Sequence, residues 1–143
     1  MASIFTEIFL DHPLDRVWQI LVDFDHYADW NPLNIKAKGQ ASLGARIPMT
    51  FLNPASPGHT IRQTVTVTTF EPGRALAWSG SIPLLFNGRH YFTLAQEASG
   101  VRLQHGEELG GWIGNRFTKT QIDRDFIPHY EAVNRALAQR LAG

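Results

Sequence analysis

Apolar and polar residues alternate with a period of two through most of this chain, and the period lengthens to that of a helix in two places. Ile4 to Leu10 is rich in β-formers and predicts a first strand. His12-Pro13 then opens a helix: Pro13 suits the first helical position and Asp15 the positive end of the dipole. Val17, Ile20, Leu21 and Phe24 recur at helical spacing along it. A second short helical turn over Asp25 to Trp30 stops at Asn31-Pro32, because a residue preceding proline disfavours helix. From there, turn signals at Gly39, Gly44, Asn53-Pro54, Pro57-Gly58, Pro72-Gly73 and Ser99-Gly100 cut the chain into strand-length pieces. The strands expected are 33–38, 45–52, 60–70, 74–80, 86–96 and 101–109. Their loops are too short for crossover helices, so the sheet is antiparallel.

Beyond Gly110-Gly111 the period becomes helical again. Phe126, Tyr130, Val133, Leu137 and Leu141 form one apolar face over more than four turns, with Pro128 expected to kink or split the helix near His129. Strand, two short helices, six strands and a long helix make an α+β fold. A strongly curved antiparallel sheet of about seven strands, wrapped around the C-terminal helix, buries all these apolar sides together.

Composition narrows the options. The chain has 143 residues with 13 basic against 13 acidic side chains, so no net field gathers phosphates and no nucleic-acid partner is expected. The absence of cysteine excludes disulfides, thiolate nucleophiles and cysteine-ligated metals. No apolar run approaches a membrane span, and the N-terminal residues lack the features of a secretion signal. A single domain covering 1–143 is expected, cytoplasmic, without stable membrane insertion, and a monomer or weak homodimer.

Three segments resemble the START-like, or SRPBCC, superfamily and its small bacterial polyketide cyclase/dehydrase-like subgroup. The first is Pro13-Leu14-Asp15-Arg16-Val17-Trp18, followed by Trp30-Asn31-Pro32. The second is Glu71-Pro72-Gly73 with Leu76-Ala77-Trp78, and the third is Gly88 to Leu94 with Leu103 to Gly111. The resemblance implies the helix-grip fold and a deep, largely apolar cavity between sheet and long helix.

Alternation then assigns the inner face. In 101–109, Val101, Leu103, His105, Glu107 and Leu109 share a side, and in 86–94, Phe86, Gly88, His90, Phe92 and Leu94 do. Taking Ser99-Gly100 as a two-residue hairpin turn places Phe92 opposite Glu107, Leu94 opposite His105 and His90 opposite Leu109. His90 and Glu107 then become diagonal neighbours at roughly 7–8 Å. Three uses of His90, His105 and Glu107 present themselves: a two-histidine, one-carboxylate metal set, an acid/base group acting on a carbonyl compound, or side chains that bond one another. The expectation is a site without metal or other cofactor. Trp78, Met49, Leu109, Phe92, Phe126 and Tyr130 are expected around the ligand, with Trp30 at the mouth and the loops 53–58 and 81–86 as lids. The function expected is binding of a small hydrophobic or aromatic molecule. The alternative is a cyclase/dehydratase-like enzyme in which Glu107, His105 and His90 are catalytic.

Overall fold

A computed structural model describes residues 2–143. Strand β1 (Ala2–Leu10) leads into helix α1 (Leu14–Val22) and a 3-10 turn (Phe24–Asp29), and strands β2 (Lys36–Ala37), β3 (Arg46–Leu52), β4 (Thr60–Glu71), β5 (Ala75–Ile82), β6 (Phe86–Glu97) and β7 (Gly100–Gly110) follow. The chain ends in the short helices α2 (Gly111–Gly114) and α3 (Lys119–Gln121), a π-helical turn (Ile122–Phe126) and helix α4 (Ile127–Ala142). The sheet is antiparallel, in the order β1-β7-β6-β5-β4-β3-β2, as the short connections require. Its inner face and the apolar stripe of α4 share one core, in which Ile4, Leu103, Val133 and Leu137 have no exposed surface.

Three sequence-based expectations need correction. The strand expected at 33–38 shrinks to Lys36–Ala37, because Asn31 Oδ1 accepts hydrogen bonds from the backbone N–H groups of Leu33 and Asn34, each at 2.9 Å, and holds that segment in a turn. Pro128 does not split the helix near His129. It sits in the first turn of α4, where its missing N–H is tolerated. The irregularity lies upstream, where the Ile127 N–H reaches back five residues to the Ile122 carbonyl.

The third correction is the β6–β7 register. Glu97 pairs with Gly100, so the hairpin loop is Ala98-Ser99, with Ala98 at φ +49°. Gly100 opens β7 by that pairing, and glycine is needed there because a side chain would strike the carbonyl of Leu10 and the ring of Phe9. His90 therefore lies directly opposite Glu107, and Phe92 opposite His105. The slip of two residues leaves every side chain on its expected face.

Candidate functional site

The concave face of the sheet and the C-terminal helical segment enclose a cavity of about 520 Å³. Its wall is mostly apolar, with Val65, Trp78, Leu109, Phe126 and Phe86 among its members. Glu107, His90 and Tyr130 bring the titratable chemistry to one end.

These three belong to a longer hydrogen-bonded chain. Tyr130 Oη donates to Glu107 Oε1. His90 Nδ1 lies 3.1 Å from the same oxygen, His90 Nε2 lies 2.7 Å from His105 Nε2, and His105 Nδ1 lies 2.9 Å from Asn134 Oδ1. Asn134 Nδ2 donates to Thr6 Oγ1 at 2.9 Å, and Thr6 Oγ1 donates to the His105 carbonyl oxygen at 2.6 Å. His90 is held flat between Trp78, with ring centroids 4.7 Å apart, and Tyr130, at 5.4 Å. His105 stacks on Phe92 at 4.3 Å.

Donor and acceptor roles follow from the fixed end. The single Thr6 proton goes to a carbonyl, so Thr6 accepts from the Asn134 amide nitrogen, and the Asn134 oxygen must accept from His105. His105 is buried, and that burial first, with the neighbouring His90 second, holds its pKa well below the ordinary histidine value against an upward pull from Asn134. A neutral His105 carrying its proton on Nδ1 presents a bare Nε2, which accepts from His90 Nε2–H. One proton then remains between His90 Nδ1 and Glu107 Oε1, as imidazolium with carboxylate or as imidazole with carboxylic acid. Burial, and then the Glu107 carboxylate, push the Tyr130 hydroxyl well above the usual phenol range and keep it a donor. Both hydrogen bonds fall on Glu107 Oε1, and Oε2 makes no hydrogen bond within the protein.

The imidazole nitrogens point at each other, at Glu107 and at Asn134, and do not converge on a common point. Among the described residues, no group of three histidine, aspartate or glutamate side chains is placed to hold a metal ion.

The buried His105 gives stability a pH dependence. The unfolded chain takes up a proton on this residue below about pH 6.5 and the folded chain does not, so stability is full above that value. It is expected to fall by about 1.4 kcal/mol per pH unit below it, until the depressed folded-state value is reached. Exposed His26, raised by Asp23, works in the opposite direction. Urea unfolding between pH 7.5 and 5 measures the slope, and a flat profile would contradict a neutral, buried His105.

A family model described as polyketide cyclase / dehydrase and lipid transport matches residues 1–142. The chain belongs to this family. No curated protein matches the sequence. Among solved structures, this cyclase/dehydrase and lipid-transport family chain is similar to a START superfamily protein from Mycobacterium smegmatis, with a TM-score of 0.79 and 12% identity over 98% of this chain and 97% of that one. It is also similar to a Thermus thermophilus protein, with a TM-score of 0.77 and 12% identity over 99% and 97% of the two chains. A Chromobacterium violaceum protein has a TM-score of 0.74 and 20% identity, again over 99% and 97%. At these identities the likeness shows the fold, a curled antiparallel half-barrel gripping a C-terminal helix. Family and fold are consistent with hydrophobic-ligand binding or with polyketide cyclase activity.

In this family chain, Trp78, His90, Glu107, Leu109, Phe126 and Tyr130 line the cavity. Phe92, His105, Met49 and Trp30 stand outside its wall. Phe92 and His105 form a buried layer behind Trp78 and His90. Met49 is covered by Asn34, whose Nδ2 lies 3.2 Å from its sulfur. Trp30, the residue that caps the 3-10 turn, packs on Tyr27, with ring centroids 5.4 Å apart. Both expected lid segments border the cavity, one through Asn53, Pro54 and Ala55 and the other through Ser81, Ile82 and Phe86, but in 81–86 only residues 83–85 form a loop, the other three belonging to β5 and β6.

Sequence reasoning missed Thr6 and Asn134. Both carried a readable signal: Thr6 shares the inner side of β1 with Ile4, and Asn134 is one helical turn beyond Tyr130 on the apolar face of α4.

Proposed function

We propose that this protein binds a small, mostly apolar molecule in its cavity and holds the polar end of that molecule at Glu107. The observation carrying this reading is Glu107 Oε2, a carboxylate oxygen with no partner in the protein, in a cavity whose other walls are largely apolar. The Glu107 side chain is partly open to the cavity, 16% exposed, so a ligand O–H or N–H replaces water at Oε2 and gains the roughly 1.5–3 kcal/mol of a hydrogen bond to a charged group. The favoured ligand is therefore a hydrophobic or aromatic compound with a hydrogen-bond donor at one end. Tyr130 and His90 hold the carboxylate in place through Oε1 and leave Oε2 for the ligand.

A second reading rests on the single proton shared by His90 and Glu107. With that proton on His90, Glu107 is a carboxylate able to take the α-proton of a bound carbonyl compound through Oε2. The C–H electrons would pass into the enolate, and the protonated Glu107 would return the proton to carbon or to a leaving hydroxyl, as in cyclisation and dehydration.

One variant tests both readings. Titration calorimetry with 3-pentylphenol is expected to show that Glu107→Gln weakens binding roughly 10- to 30-fold, the worth of a hydrogen bond to a charged group. Replacing exposed Lys119 with alanine should change nothing. Equal affinity in wild type and Glu107→Gln would refute the placement of the ligand's polar end. Exchange of the α-hydrogens of phenylacetone in D2O, followed by NMR, separates carrier from catalyst: the enzyme reading requires exchange above the buffer rate that Glu107→Gln abolishes.

A further inference from the structure

The cavity end beside Glu107 contains a second free acceptor that none of the site residues above accounts for. Gly80 on β5 and Gly88 on β6 are directly paired, and both lie on the inner face. Each missing side chain is replaced by the polar end of a neighbour. A Cβ on Gly88 would stand 2.5 Å from Glu107 Oε2, and a Cβ on Gly80 would stand 2.5 Å from Gln63 Oε1. Gln63 Nε2 donates to the Ser81 carbonyl at 3.2 Å, which fixes the amide's orientation and leaves Oε1 without a partner in the protein. Positions paired across antiparallel strands carry their side chains about 5 Å apart. Two unpartnered oxygens, one on a carboxylate and one on an amide, thus lie side by side over the glycine pair at the cavity wall.

We infer that Gln63 and Glu107 together form a two-acceptor subsite for a planar head group with two hydrogen-bond donors, of the kind a 1,3-dihydroxyarene presents. This rests on the proposed binding at Glu107 and adds Gln63 as a specificity-determining residue. One hydroxyl donates to Glu107 Oε2 and the other to Gln63 Oε1, while the rest of the molecule lies along the apolar wall formed by Trp78 and Val65. The two glycines are required because any Cβ would displace the acceptors from the sheet.

A matched series of pentylbenzene, 3-pentylphenol and 5-pentylresorcinol tests this by calorimetry. The wild type is expected to bind the resorcinol about five- to tenfold tighter than the phenol, the worth of one more neutral hydrogen bond. Gln63→Met, close in shape but without the acceptor, should bring the resorcinol down to the affinity of the phenol. Gly80→Ala, which pushes aside only the flexible end of Gln63, should do the same with Gln63 itself intact. Equal binding of resorcinol and phenol by the wild type, or a preference that survives Gln63→Met, overturns the inference. If the phenol still binds in a Glu107-dependent way, the reading at Glu107 stands and only the two-acceptor subsite falls. If none of the three compounds binds, both fall.

Discussion

Replacing His105 with alanine is expected to destabilise the protein by about 4 kcal/mol, measured as a fall in the urea midpoint at pH 7.5 with an unchanged slope. The side chain is fully buried, so its removal leaves a void against Phe92 that the surrounding sheet and helix can only partly close. Truncating a buried aromatic ring to alanine costs about 3–5 kcal/mol, lost burial and cavity together. Two polar partners are also orphaned: the Asn134 amide oxygen loses its donor, and the His90 Nε2–H loses its acceptor. Each buried orphan adds about 1–3 kcal/mol unless water enters the space, and water entry keeps the total near the lower end. His90 would keep its stacking on Trp78 and Tyr130 and its bond to Glu107 but lose its anchor at Nε2, so 3-pentylphenol binding should weaken even though His105 lies outside the cavity wall. A loss below about 1 kcal/mol would mean that the chain from Glu107 to Thr6 is not ordered as described.

Gly106→Ala is expected to be at least as severe. Gly106 lies on β7 between Phe5 of β1 and Tyr91 of β6. A Cβ there would meet the backbone carbonyl of Ile4, with the Tyr91 hydroxyl 2.7 Å away. The tyrosine can move, but the carbonyl belongs to the β1–β7 ladder, so relief requires β1 to separate from the sheet. That strand carries Ile4, Thr6 and Leu10 into the core, and loss of its pairing is expected to cost about 4 kcal/mol or more. Thermal unfolding should show a large fall in midpoint or no folded protein. Gly58→Ala, where no atom lies within 4 Å of the added carbon, serves as the near-neutral comparison. Similar midpoints for the two variants would contradict the close approach of β1 to β7.

Much of the architecture was legible from periodicity alone. Alternation in the two strands after Ser81 and the helical stripe after Gly111 reflect which faces need burial, and burial is set by residue type. The short helices and the antiparallel order followed from proline placement and short connections. The failures occurred where a single backbone interaction competes with pattern: the Asn31 side chain held 31–34 in a turn, and the width of the helix before Pro128 depended on which carbonyl the Ile127 N–H reached.

The candidate site divides in the same way. The sequence by itself determined that His90, His105 and Glu107 share the inner face and that Tyr130 lies on the apolar face of the long helix, because a side chain's face depends only on parity along a strand or on helical phase. Parity is blind to a slip of two residues. Only the folded hairpin decided that the loop is Ala98-Ser99 and that His90 faces Glu107 directly. The order of donors was likewise a tertiary outcome. It is anchored where Thr6 meets Asn134 across 128 residues of chain, and a hydrogen bond of that span requires strand and helix to be packed before either partner is defined. The same holds for Gln63 beside Glu107, which two glycines on intervening strands bring together and no local pattern announces.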